Sequence, residues 1–228
     1  MRVFLLSDPH FGRDMSRFGE VWCDHESKII ERWTEVVKSD DLVLIPGDFS
    51  WATTTKQIRR HVEIVDNLPG QVVISPGNHC KFWKKTPRLQ YESVRFLADD
   101  HVDLAPGWML AATMGWDSPE SPWWKDEMKE KFELSLENLS STLKAVPEGK
   151  KILLMIHYPP RWKDDETPTA IESIIKDFEV ELVVYGHIHG VDLPLAHNGD
   201  KQIGSRKLRY ENGSVDRIEM RPIQVLSF

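Results

Sequence analysis

The stretch Leu182-Val183-Val184-Tyr185-Gly186-His187-Ile188-His189 joins a short apolar run to two closely spaced histidines. A continuous apolar run rich in β-branched residues is typical of a strand that is buried on both faces of a sheet. Alternate residues that leave the end of a strand can contribute to the same site. In open α/β sheets, ligand sites gather at the carboxyl ends of the strands. The stretch therefore predicts a buried strand that ends in a binding site.

The same arrangement recurs four more times along the chain. The apolar runs 3–6, 42–45, 72–74 and 152–156 lead into Asp8-Pro9-His10, Gly47-Asp48, Gly77-Asn78-His79 and His157, respectively. Each motif alone is weak evidence, because Asp-x-His and Gly-Asp are common in ordinary turns. Their joint occurrence, in order and each after a predicted strand, favours one shared site. The glycines at 47, 77 and 186 are expected to leave room there for an ion.

Helical patterns separate these strands. Apolar residues recur at helical spacing in four segments, 29–37, 58–68, 132–146 and 171–178. Strands that alternate with helices predict an α/β layered fold. No linker is visible, so we expect a single domain over residues 1–228.

Two segments depart from this alternation. Residues 202–226 read as a closing β-hairpin with a tight turn at Asn212-Gly213. The proline-containing loop 118–124 is the most irregular stretch, and we expect it to form a rim or lid.

Composition narrows the class of protein. The chain has 228 residues, 40% of them hydrophobic, and a formal net charge of −7. This charge disfavours binding to long nucleic acids or to anionic membranes, which requires a basic surface. The two cysteines, Cys23 and Cys80, cannot form a disulfide framework. With no signal peptide and no membrane-length apolar run, a cytoplasmic location is expected.

The five blocks resemble the signature of the calcineurin-like metallophosphoesterase superfamily. The segments Phe18-Gly19-Glu20, Trp22 and 43–48 further resemble small bacterial predicted phosphohydrolases of that superfamily. The resemblance implies a four-layer α/β/β/α sandwich and a dinuclear metal centre. It also implies that a metal-bound hydroxide attacks the phosphorus of a phosphate ester.

The resemblance implies a role for each residue. Asp8, His10 and His189 would hold one metal. Asn78, His157 and His187 would hold the other. Asp48 would bridge both ions, and His79 would protonate the leaving group.

The expected cofactors are two divalent transition-metal ions. Carboxylate, imidazole and amide donors without thiolates suit Mn, Fe, Co, Ni or Zn, and manganese is the favoured choice. Two such ions can clamp the attacking and leaving oxygens of an in-line displacement. The expected substrate is a small phosphate ester, either a monoester or a diester. A metal-dependent nuclease and a non-catalytic interaction module of the same fold are the alternatives, and the sequence leaves the oligomeric state open.

Several further residues carry weaker predictions. Position 9 is Pro, where the superfamily usually has a long apolar residue, and position 80 is Cys, where an acidic residue is usual. We interpret Cys80 as a small buried residue. Arg13 and Arg161 are candidate phosphate contacts by charge and position. Four tryptophans follow strand ends and either rim the site or pack in the interior, with packing favoured: Trp51, Trp83, Trp116 and Trp162.

Overall fold

A computed structural model describes residues 1–84, 89–162 and 166–228. The strands are β1 Arg2–Leu5, β2 Leu42–Ile45, β3 Gln71–Ile74, β4 Val94–Phe96, β5 Asp100–Ala105, β6 Trp108–Thr113, β7 Lys151–Ile156, β8 Val180–Tyr185, β9 Gly199–Ile203, β10 Arg206–Asn212 and β11 Ile223–Ser227. The α-helices are α1 His25–Val36, α2 Thr55–Asp66, α3 Lys129–Ala145 and α4 Ala170–Ile175. The five apolar runs named above all form strands, and the predicted alternation of strands with helices is confirmed.

The strands form two sheets. One sheet has the order β11-β1-β2-β3-β4, and the other has the order β5-β6-β7-β8-β10-β9. The central strands are parallel within each sheet. Their carboxyl ends therefore lie along one edge of each sheet, where side chains from several strands can meet.

Three apolar clusters define the layers. Alternate residues of β1 point to opposite faces, as the period of a strand requires: Val3 and Leu5 face the second sheet, whereas Phe4 packs towards α1 and α2. A third cluster lies between the second sheet and helices α3 and α4. The order of layers is α/β/β/α, as predicted.

Two of the α-helices, α2 and α4, begin at side-chain caps that the sequence provides. Thr54 Oγ1 accepts a hydrogen bond from the Gln57 backbone N–H, and Gln57 Oε1 accepts one from the Thr54 backbone N–H, which forms a capping box at the start of α2. Thr169 and Glu172 form the same motif at α4. In the parts of the chain that the structure describes, no helix is both long and apolar enough to cross a membrane.

The predicted hairpin at residues 202–226 is wrong. β10 pairs in parallel with β8, whereas β11 pairs antiparallel with β1 in the other sheet. Asn212-Gly213 is the crossing between the sheets. A side chain on Gly213 would clash with Leu5, because its Cβ would lie 2.4 Å from Leu5 Cγ. Gly213 therefore allows the backbone to pack closely against Leu5. The hairpin in this region joins β9 to β10 instead.

Candidate metal centre

The predicted site residues converge at the carboxyl ends of five strands. Asp8 and His10 follow β1, Asp48 follows β2, and Asn78 and His79 follow β3. From the second sheet, His157 follows β7, and His187 and His189 follow β8. The backbone N–H of His187 donates to Asp8 Oδ2 at 2.9 Å, so the two sheets are joined directly at this point.

One group of donors lies around Asp8. Side-chain atoms of Asp8, His10 and His189 lie within 4.8 Å of one another and could hold a metal ion. Asp8 Oδ1 lies 3.6 Å from His189 Nε2, and both atoms are buried without a hydrogen-bond partner. Unpaired buried polar atoms are costly. A cation between them would satisfy both, so these residues fit a metal ion.

A second group lies around His157. Asp8, Asp48 and His157 also offer atoms within 4.8 Å of one another. His157 Nδ1 donates to the Pro46 carbonyl at 2.9 Å, so a neutral ring presents its Nε2 lone pair to Asn78 Oδ1, also 2.9 Å away. His187 Nδ1 lies 3.1 Å from the same oxygen. The lone pairs of His157 Nε2 and Asn78 Oδ1 repel each other at 2.9 Å, and a bound cation would stabilise the pair.

Each carboxylate has one oxygen bound to the backbone and one facing the histidines. Asp8 Oδ2 accepts from the His187 N–H, which leaves Oδ1 towards His189. Asp48 Oδ1 accepts from the His79 N–H at 2.8 Å, and its Oδ2 lies 3.7 Å from His157 Nε2. These backbone bonds orient both carboxylates before any ion binds.

The electrostatics of two of the histidines, His10 and His187, suit metal ligands. Burial lowers the pKa of His10 and of His187, so both rings are neutral at pH 7, the form that coordinates metals. Burial alone would raise the pKa of Asp8, but the neighbouring histidines, His189 first, hold it well below its usual range. Burial raises the pKa of Asp48, and the charge of Asp8 adds to this.

The backbone of the site is strained. Four of the predicted ligands have positive φ angles, a region that non-glycine residues rarely occupy: Asp8 (60°), His10 (50°), Asp48 (44°) and His187 (75°). Glycines make room for the ligands. A Cβ on Gly47, at φ 107°, would lie 2.3 Å from His157 Nδ1, and one on Gly186 would lie 2.0 Å from Asp8 Oδ2. The glycines thus accommodate ligand side chains, whereas the sequence suggested room for the ion itself.

His79 lies at the rim of the cluster. Its side chain is 40% exposed, and its Nε2 lies 3.9 Å from Asp48 Oδ2. The ring stacks on Trp51 with centroids 4.2 Å apart. The Trp51 indole also donates to His10 Nδ1 at 2.9 Å, and the Arg13 guanidinium lies over the Trp51 ring, 4.8 Å from its centroid. Trp51 is therefore part of the site, contrary to the favoured packing interpretation, and Arg13 lies beside it.

Two further predictions have clear outcomes. Arg161 is wrong as a phosphate contact, because it is buried and its Nε donates to Glu172 at 2.7 Å. It ties the end of β7 to α4. Cys80 is buried as expected, and its sulfur accepts from the Gly77 N–H. Burial raises the pKa of the Cys80 thiol to about 12, so it is not a reactive thiolate.

Two clefts adjoin the cluster. Phe18, Trp123, Ile188 and the two histidines after β8 line a cleft of about 410 Å³. Trp123 belongs to the loop 118–124, which thus forms a rim as expected. The cleft on the other side, of about 460 Å³, is lined by Gly77 and Trp116 among others. Both volumes lie within the ~300–1,000 Å³ range of small-molecule sites.

Sequence reasoning missed Asp216. Its Oδ1 lies 2.8 Å from His189 Nδ1, and its Oδ2 accepts from the Gly190 N–H. Burial opposes protonation of His189, but Asp216 and Asp8 outweigh it and raise its pKa to about 10. A carboxylate behind a ligating histidine fixes the tautomer and strengthens the ligand. No motif marks Asp216, since it lies in the segment for which the sequence predicts a hairpin.

We expect Asp216→Asn to weaken metal binding ~10–100-fold, the usual cost of losing such an outer partner. The amide can still accept from His189 Nδ1 but carries no charge. Metal affinity measured by calorimetry is the readout. Asp200→Asn is the matched control, because Asp200 pairs with Lys207 on an exposed surface. Unchanged affinity in Asp216→Asn would show that Asp216 does not support the ligand.

The fold and the donor cluster together define an α/β/β/α sandwich with a candidate metal centre at the strand ends. The family model for calcineurin-like phosphoesterases matches residues 1–191, and the chain belongs to that family. The uncharacterised protein MJ1445 of Methanocaldococcus jannaschii is 25% identical over 123 residues, which span 48% of this chain and 66% of that protein, just under two thirds of its length.

Solved structures of similar fold include two bacterial proteins. Phosphopantetheinyl hydrolase from Mycobacterium tuberculosis aligns with a TM-score of 0.59 at 14% identity, covering 100% of this chain and 96% of that one. A protein of unknown function from Aquifex aeolicus aligns with a TM-score of 0.55 at 16% identity, covering 98% and 95%. At these identities the likeness establishes the fold alone.

Proposed function

We propose that this chain hydrolyses small phosphate esters with two divalent cations bound at the candidate metal centre. The observation that carries the proposal is the buried, unpartnered pair Asp8 Oδ1 and His189 Nε2, beside the second donor group of Asp48 and His157. Membership of the calcineurin-like phosphoesterase family supports metal-dependent hydrolysis of phosphoesters.

The donors divide into two sets. We assign Asp8, His10 and His189 to one cation, and Asn78, His157 and His187 to the other. Asp48 bridges them. Asp8 belongs to both groups of converging donors, so a second variant at Asp8 is needed to test which carboxylate bridges.

When bound, two divalent cations neutralise charge on phosphoryl oxygens and lower the pKa of a coordinated water. The chain supplies the rest. Asp8 and Asp48 provide negative charge in a buried setting. Their hydrogen bonds from backbone N–H groups fix the orientation of both carboxylates for cation binding. We assign proton donation to the leaving oxygen to His79, and its position at the exposed rim supports this role.

The retained donors favour an enzyme over a non-catalytic module. A module that had lost turnover would be expected to lose ligands, whereas all seven proposed ligands are present, on five strand-end motifs. The net charge of −7 favours small esters over nucleic-acid polymers. Manganese remains the first ion to supply, because the donors are nitrogen and oxygen.

The test is a substrate panel with added Mn²⁺. Phosphomonoesters, phosphodiesters, cyclic nucleotides, DNA and RNA are assayed in parallel, with elemental analysis of the loaded protein. We expect two metal equivalents per chain, turnover of small esters and loss of activity in chelator. Full activity in chelator, or no turnover of any ester by protein that holds two metals, would refute the proposal. Cleavage of DNA or RNA in preference to small esters would favour the nuclease.

A further inference from the structure

The cleft of about 460 Å³ begins where the candidate metal centre ends. Gly77, at its inner end, directly precedes Asn78, and a Cβ there would lie 2.3 Å from Asp48 Oδ1. On the opposite wall, the Trp116 ring lies 5.3 Å from Tyr158, whose ring lies 4.2 Å from that of His187. A phosphate ester at the metal centre could therefore extend its organic group into this cleft.

The cleft has a positive wall. Lys81, Lys84 and Lys131 line it, and all three are exposed. The one acidic residue among its described lining residues is Asp99, whose carboxylate accepts from Thr113 Oγ1 at 2.7 Å and from Asn138 Nδ2 at 3.2 Å. Three lysines against one aspartate give the cleft a net positive charge in a chain whose overall charge is −7.

The rest of the lining is apolar, and one lysine is held in place. Met114, Leu134 and Trp116 form apolar walls. The Lys131 ammonium lies over the Trp116 ring, 4.7 Å from its centroid. This cation–π contact keeps the charge at the cleft, and no carboxylate among the described residues forms a salt bridge with Lys131. The lining thus suits a ligand with an apolar body and an anionic end.

We propose that this cleft binds the organic group of the substrate, and that this group carries a second phosphate. The inference rests on the proposed hydrolysis of phosphate esters and names the substrate class: a small organic bisphosphate. One phosphate lies at the metal centre, and the second meets the lysines of the cleft. Single-phosphate esters of the same body lack that second contact and are bound less tightly.

The experiment compares two ligands that differ by one phosphate. Adenosine 5′-phosphate and adenosine 3′,5′-bisphosphate are tested as competitive inhibitors of p-nitrophenyl ester hydrolysis by the manganese-loaded protein. Their binding is also measured directly by calorimetry. We expect the bisphosphate to bind at least ~10-fold more tightly, because each exposed charge pair contributes a factor of up to about five.

Variants locate the effect. Lys131→Gln and the double variant Lys81→Gln/Lys84→Gln should each lower the ratio of the two affinities at least about twofold. Lys144→Gln is the matched control, since it removes an exposed lysine from the last turn of the same helix as Lys131. It should leave the ratio unchanged.

The outcomes separate the two proposals. Absence of hydrolysis with metal bound would contradict the proposed function, whereas calorimetry would still test the cleft. A ratio near one, or a ratio that Lys144→Gln lowers as much as the cleft variants do, would overturn the bisphosphate assignment while leaving ester hydrolysis intact.

Discussion

Asp48→Asn should abolish both metal binding and hydrolysis. Even outer partners of metal ligands cost ~10–100-fold in affinity when removed, so the loss of a ligand shared by two ions should exceed that for each ion. Asparagine tolerates positive φ better than most residues, so the backbone angle of 44° at position 48 is preserved. Elemental analysis and metal titration measure the result, alongside the turnover of a p-nitrophenyl ester.

Comparison variants make this test specific. His10→Ala should weaken mainly one ion, because His10 belongs only to the group around Asp8. Asp103→Asn, on an exposed part of β5, should change nothing. If Asp48→Asn retains both metals at normal affinity, Asp48 is not the bridge. Loss of both metals in Asp8→Asn alone would move the bridging role to Asp8.

His79→Asn should separate proton donation from metal binding. A general acid contributes ~10²–10⁴-fold, and most where the leaving group is poor. We therefore expect a loss of that size on alkyl phosphate esters and a much smaller loss on p-nitrophenyl esters, whose leaving group departs as an anion. The metal content should be unchanged, whereas His187→Asn, which removes a proposed ligand, should lose activity on both kinds of ester.

The control for His79→Asn is His101→Asn on β5, which should leave both activities unchanged. Equal losses on alkyl and p-nitrophenyl esters, with metal retained, would remove the proton-donor role. His79 would then be a residue that binds the phosphate.

The structure changes which neighbour of His79 is worth testing. The sequence drew attention to Cys80, because an acidic residue usually stands there. Cys80 is buried in the core, however, and the His79 ring instead rests on Trp51. A carboxylate at position 80 would be buried near Asp48. Trp51, which also donates to His10, is the residue that orients His79.

Much of the fold could be predicted because its signal is local. The five apolar runs each form a central strand, and a strand buried on both faces has to be apolar throughout. The strand-end motifs brought the site together because parallel strands share one edge. The superfamily resemblance added the pairing of the two sheets, which no local pattern contains.

The errors arose where long-range contacts decide the structure. Asn212-Gly213 has the sequence of a tight turn, but the glycine is required by contact with Leu5, over 200 positions earlier in the chain. Arg161 follows a strand end, like the true site residues, yet Glu172 holds it in the core. Asp216 gave no signal, because only the tertiary fold brings it behind His189.

The positive φ angles of the proposed ligands bear on how this protein could be engineered. Such conformations cost ~1–3 kcal/mol each for non-glycine residues. Glycine would relieve that cost at Asp48 or His187. Selection for heat resistance alone, without metal in the medium, would therefore favour glycine at these positions. The selected protein would be more stable to heat but inactive, because it would lack metal ligands. Stability and activity therefore place opposite demands on these residues.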